Sequence, residues 1–152
     1  MNIYNNLNKQ EKYAIIIRKL KEGFLSFCDE LLDVFPNNKN LFIQRIISYQ
    51  LSDTSLYKIL KKNININLIE KNDEQYLRNN LYFLKDYEQY LNENKTEKYK
   101  YFSFNELCNE RLENYNSVNN SELFNDNIDM IWKWIEIIIL LIKQIDKIND
   151  FN

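Results

Sequence analysis

The segment from Asp126 to Ile148, DNIDMIWKWIEIIILLIKQIDKI, constrains this chain more than any other. It holds both tryptophans, Trp132 and Trp134, and the longest uninterrupted apolar run, Ile137 to Ile142. At helical spacing, Trp132, Ile135, Ile139, Ile142 and Ile145 form one stripe. Ile131, Trp134, Ile138, Leu141, Ile145 and Ile148 form a second. Lys133, Glu136, Lys143, Asp146 and Lys147 occupy the rest of the circumference. A helix this apolar must be wrapped by other helices, given to a partner or placed in a membrane. A span needs about 20 mostly apolar residues, and Glu136 and Lys143 bracket a much shorter run here. The expectation is a central core helix with no membrane insertion. Trp132, Trp134, Ile138 and Leu141 become candidate partner-binding residues if this chain leaves the second stripe uncovered.

What surrounds that helix follows from the turn residues. Glycine and proline occur once each in 152 residues, at Gly23 and Pro36. A sheet protein of this size needs many tight turns that use these residues. Asparagine pairs such as Asn37-Asn38 and Asn79-Asn80 do the loop-forming work instead. The fold class is therefore all-α: a single compact bundle of six to seven helices around a central C-terminal hydrophobic helix.

Residues 1–8 are expected as a flexible lead, and 9–150 as one helical domain. A first helix spans Lys9 or Gln10 to Val34, with Tyr13, Ile16, Leu20, Phe24, Phe27, Leu31 and Val34 along one face. Pro36 ends it by forcing Phe35 out of the helical region. Gly23 lies inside it, which fits close approach of another helix. The second helix spans Lys39 to Gln50, with Leu41, Phe42, Ile46 and Tyr49 expected inward. A third starts after Ser52 or Asp53 and ends near Lys62. An Asn-rich turn follows at 63–67, then short helical turns around Asp73-Glu74. A helix is expected over Leu81 to Asn92, and another from the capping-box sequence Ser103-Phe104-Asn105-Glu106 to Asn114. Mobile loops are expected near 92–101 and 114–127. The final helix runs from Ile128 to Asn149.

The chemistry of the chain is restrictive. Histidine is absent, which removes the commonest general base and transition-metal ligand. Cys28 and Cys108 have no metal-ligand spacing and read as reduced, buried thiols of an intracellular protein. Asp29-Glu30-Asp33 and Asp73-Glu74 read as solvated faces, because a metal site needs several converging ligands. One glycine cannot build a phosphate loop. No catalytic residue, metal site or cofactor is expected. The net charge of −2 provides no general attraction for nucleic acid. The segment Lys95 to Phe104 does interleave lysines with aromatics. Lys95, Lys98, Tyr99, Lys100 and Tyr101 are thus the candidate residues for an alternative reading as a single-stranded nucleic-acid binder.

Three blocks carry a resemblance: Phe24-Leu-Ser-Phe-Cys-Asp-Glu-Leu-Leu-Asp-Val-Phe-Pro36, Leu68-Ile-Glu-Lys-Asn-Asp-Glu-Gln-Tyr-Leu77 and Met130-Ile-Trp-Lys-Trp-Ile-Glu-Ile-Ile-Ile-Leu-Leu141. In content and order they resemble small helical proteins of giant viruses, the large nucleocytoplasmic DNA viruses of algae and protists. Those proteins share a helix ending in Phe-Pro, a middle acidic element and a closing Ile-Trp helix. The stretch from Lys85 to Asn125 looks longer here. The resemblance implies an all-helical intracellular viral protein, in host cytoplasm or virion, and brings no catalytic residues with it.

The expected function is that of a non-enzymatic interaction or structural protein: a virion or viral-factory component, or a binder of a host protein. Its partner would be a viral or host protein, or a second copy of itself. A second alternative is a diverged viral Bcl-2-like apoptosis inhibitor, which size, helix number and the apolar central helix would fit.

Overall fold

The computed structural model describes residues 8–66, 69, 73–85, 102–105 and 120–150. Six helices are defined among them, and no strand. They are α1 (Lys9–Val34), α2 (Lys39–Gln50), α3 (Asp53–Asn63), α4 (Glu74–Asn80), α5 (Asn120–Asp126) and α6 (Ile128–Asp150). The all-α class read from the sequence is the fold observed.

Local chemistry sets most of the helix boundaries. The Asn8 side chain accepts from the Glu11 amide at 2.8 Å, which starts α1. At its far end Phe35 leaves the helical region ahead of Pro36, and its amide still closes on the Leu31 carbonyl at 2.8 Å. Asn38, Ser52 and Asp73 cap α2, α3 and α4 in the same way. Lys61 and Lys62 lie in the last turn of α3, where the helix dipole favours cations.

α1 is the element that α2, α3 and α6 all pack against, and α5 packs on α6. From α1 come Leu20, Phe24, Phe27 and Leu31, and from α6 come Ile131, Trp132, Ile135, Ile138, Ile142 and Ile145, all buried. Trp134 stacks on Phe27 with ring centroids 6.3 Å apart. Aromatic contacts continue from this seam into segments without regular structure. Phe83 lies 5.3 Å from Phe24 and 6.1 Å from Phe104, and Phe104 is 5.2 Å from Phe102 and 5.6 Å from Phe124 of α5. Edge-to-face and tilted ring pairs add to the gain from burial alone.

A polar latch ties α3 to the end of α6. Tyr57 donates its hydroxyl to Asp146, and Lys61 Nζ is 2.9 Å from the same carboxylate. Burial, then the carboxylate, push the Tyr57 phenol above its usual pKa, so it stays a donor through the neutral range.

Two expectations are corrected. The helix expected over Leu81 to Asn92 is absent from Leu81 to Lys85, and residues 86–92 lie outside the described set. Leu81, Phe83 and Leu84 are buried, but from an irregular chain. Leu81 caps α4 in an extended conformation, and Asn63 Nδ2 donates to the Phe83 carbonyl at 3.0 Å. The second correction is α5, which occupies Asn120–Asp126 within the loop expected over 114–127. Burial of Phe124 against Phe104 holds it there, and Asn127 turns the chain into α6 by donating its amide to Leu123 and Phe124 carbonyls. The capping-box helix does start where expected, with Phe104 and Asn105 helical; its continuation, the 92–101 loop and residues 1–7 lie outside the described residues.

Gly23 faces α6, as a close approach requires, yet the approach leaves room. A methyl group there would lie 3.9 Å from Trp134 and 4.0 Å from Leu141, ordinary contact distances. Alanine is favoured over glycine in a helix interior by up to about 1 kcal/mol. Gly23→Ala is therefore expected to raise the urea unfolding free energy by about 0.5–1 kcal/mol; a loss would show that the α1–α6 seam is tighter than described.

Candidate interaction surface

The partner-binding residues expected on α6 are engaged within the chain. Trp132 and Ile138 are buried, and Trp134 and Leu141 are half-buried and packed on the core beside Gly23. Of the second stripe of α6, Ile131, Ile138 and Ile145 are buried, and Trp134, Leu141 and Ile148 are covered in part. On that helix Leu140 is the large apolar residue left exposed. Among the described residues the other large exposed apolar side chains, Phe42, Ile46 and Tyr49, are all on α2.

α2 is oriented opposite to the expectation from its apolar spacing. Phe42, Ile46 and Tyr49, expected inward, are 56%, 40% and 66% exposed. Leu41 does point inward, but its buried companions are Gln44, Ile47 and Ser48. The reason is a set of polar links to α1 that hydrophobic periodicity does not register. Arg45 grips Asp29 through two hydrogen bonds, Nε to Oδ1 at 2.9 Å and Nη2 to Oδ2 at 3.4 Å. Gln44 Nε2 donates to the Cys28 sulfur at 3.7 Å. Lys21 Nζ donates to the carbonyl oxygens of Tyr49 and Leu51, at the negative end of the α2 dipole. At the N-terminus the buried Asn38 accepts from the Leu41 amide at 2.8 Å. The contacts of Arg45, Gln44 and Lys21 between the two helices fix the rotation of α2 about its axis. Ser48 satisfies its hydroxyl locally on the Gln44 carbonyl at 2.7 Å. Gln44 Oε1 is buried with no hydrogen-bond partner among the described residues, as is Trp132 Nε1.

The outer face that results is apolar with a cationic edge. Phe42, Ile46 and Tyr49 follow each other at four- and three-residue spacing, one line along the helix. Lys21 Nζ and the Arg45 guanidinium both sit 5.8 Å from the Tyr49 ring centroid, within cation–π range. Lys39 is exposed three residues before Phe42, and α2 contains no acidic residue. The hydrogen-bonded Asp29 carboxylate raises Arg45 above its ordinary pKa and offsets its charge.

The other chemistry-bearing residues are occupied with structure. Asp73 accepts from the Tyr76 amide at 3.0 Å as the cap of α4, and Glu74 meets Arg78 at 3.5 Å. Among the described residues no three His, Cys, Asp or Glu side chains are grouped to hold a metal ion. No helix of the described residues is long and apolar enough to cross a membrane. Phe102 and Phe104, the end of the lysine–aromatic segment, are buried in the aromatic cluster; Lys95, Lys98, Tyr99, Lys100 and Tyr101 lie outside the described residues. Comparison with protein-family models, curated proteins and solved structures finds no match to this chain.

Cys28 is fully buried, and burial pushes its thiol up to about 12 against the weaker opposing hydrogen bond from Gln44. Because the folded value is raised, the neutral thiol's stabilisation is intact below the ordinary value of 9.0 and is lost as pH climbs toward about 12. In a Cys108→Ser background, Cys28 is expected to resist a thiol-labelling reagent at pH 8 and to react fully once urea unfolds the chain. Labelling of the folded protein at the rate of a free thiol would refute its burial.

Proposed function

We propose that this chain is a non-enzymatic interaction protein that works inside a cell by docking a protein partner on the outer face of α2. The observation that carries the reading is the orientation of that helix. Single exposed apolar residues are normal on any protein surface. Here three large ones share one line while Gln44 and Ser48 of the same helix are inside. A grouped apolar surface rimmed by charge is what an interaction site presents.

The non-enzymatic part rests on the chemistry available. The chain has no histidine, Cys28 is held protonated by burial, and the acidic pairs serve as caps and ion-pair partners. A viral origin, with the protein in host cytoplasm or virion, is part of the proposal and rests on the three resembling blocks. The single-strand-binding and Bcl-2-like alternatives have no comparable supporting observation.

The test is affinity purification of the tagged chain from cells that naturally express it, beside a Phe42→Asp/Tyr49→Asp variant. A protein recovered in near-stoichiometric amount with the wild type, and reduced about tenfold or more with the variant, is expected. Equal recovery with both, or none with either, contradicts the proposal.

A further inference from the structure

We infer that α2 is a releasable clasp: it opens from α1 as a unit and uncovers Cys28 while the α1–α6 seam stays packed. The helix is held from one side. Among the described helices α1 is its principal packing partner, whereas α1 is also packed by α3 and α6. α2 buries two large apolar side chains, Leu41 and Ile47, and two polar ones, Gln44 and Ser48. Phe42, Ile46 and Tyr49 already face water in the shut form. An element with few buried apolar contacts opens at a fraction of the free energy of global unfolding.

The polar links from α2 to α1 are ones that water can replace. Arg45 pairs with an Asp29 side chain that is 56% exposed, and pairs of that kind hold weakly. Lys21 Nζ donates to the Tyr49 and Leu51 carbonyls at the helix end. Gln44 Oε1 is buried without a hydrogen-bond partner among the described residues, so release to water recovers a desolvation cost. The helix has little strength of its own. Its 12 residues are near the length at which an isolated helix is marginal, and Ile43, Ile46 and Ile47 are β-branched. Pro36 on one side and the extended Leu51 on the other separate it from α1 and α3, so the change stops at its ends. Cys28 reports the opening. It is fully buried, and its sulfur lies 3.7 Å from Gln44 Nε2. The neighbouring Phe27 stacks on Trp134 of α6 instead.

The test uses the full chain with Cys108→Ser, labelled at pH 8 by an aromatic disulfide reagent at concentrations where the rate is proportional to reagent. Hydrogen exchange of the backbone amides runs beside it. Cys28 of the folded protein is expected to label about a hundredfold or more slowly than in the unfolded chain, yet at least about tenfold faster than the global unfolding equilibrium permits. Its labelling rate is expected to rise with urea less steeply than global unfolding does, because less surface is uncovered. Two matched truncations separate local from global opening. Ile47→Val loosens the shut clasp and is expected to speed both Cys28 labelling and α2 amide exchange about two- to tenfold. Ile138→Val weakens the seam, which the shut and released forms share. It is expected to speed exchange of the buried α6 amides by a similar factor and to leave Cys28 labelling and α2 exchange unchanged. Ile142→Val takes its place should that variant fail to fold. Labelling of Cys28 at the rate set by global unfolding, or its acceleration by Ile138→Val to the same extent as α6 exchange, would overturn the clasp.

Discussion

The contact between Phe27 and Trp134 lies on the seam around which the other elements assemble. α1 and α6 are the two longest helices, and their packed faces carry much of the buried apolar surface. Burial of large apolar side chains is the main favourable term in folding. Because α1 also contacts α2 and α3, and α6 contacts α5, loss of this seam would remove the support of every neighbour. The phenylalanine chain from Phe24 through Phe83 and Phe104 to Phe124 extends the same core to the irregular chain at Phe83 and to α5.

α2 is built on a different principle. It buries Leu41 and Ile47, and it is joined to α1 by polar contacts, Arg45–Asp29, Gln44–Cys28 and Lys21 with the helix end. Half-exposed ion pairs contribute little by themselves. Their directionality, however, selects one rotation of the helix about its axis. That rotation buries an amide oxygen without a described partner and leaves three large apolar side chains outside. A local conflict of this kind, accepted by an otherwise consistent fold, is where function is expected.

The sequence made long helices legible because caps and periodicity agree there. Pro36 and Ser52 mark boundaries that the helices respect, and the stripes of α6 are its buried and half-buried faces. Leu81 to Lys85 misled because leucine spacing alone cannot distinguish a helix from an irregular chain pinned by Phe83 and Asn63. α5 was hidden in a polar, Asn-rich stretch where Leu123 and Phe124 are its only large apolar residues. The face of α2 was misread for a physical reason. Periodicity ranks Phe42, Ile46 and Tyr49 above Gln44 and Ser48, whereas the decisive contacts are hydrogen bonds with residues sixteen or more positions away in α1. No pattern within α2 encodes those. The proposed interaction surface was therefore invisible from the apolar pattern that made α6 the first candidate.

The orientation of α2 underlies the functional account, and two adjacent residues test it directly. Leu41 is fully buried and Phe42 is 56% exposed. Urea unfolding of Leu41→Ala and Phe42→Ala compares the two sides of the helix at one point in the chain. The account predicts a loss of about 2–5 kcal/mol for Leu41→Ala and a change within about 0.5 kcal/mol for Phe42→Ala. A loss of about 3–5 kcal/mol for Phe42→Ala, the cost of emptying a core phenylalanine site, would mean that this face is turned inward and would contradict the account.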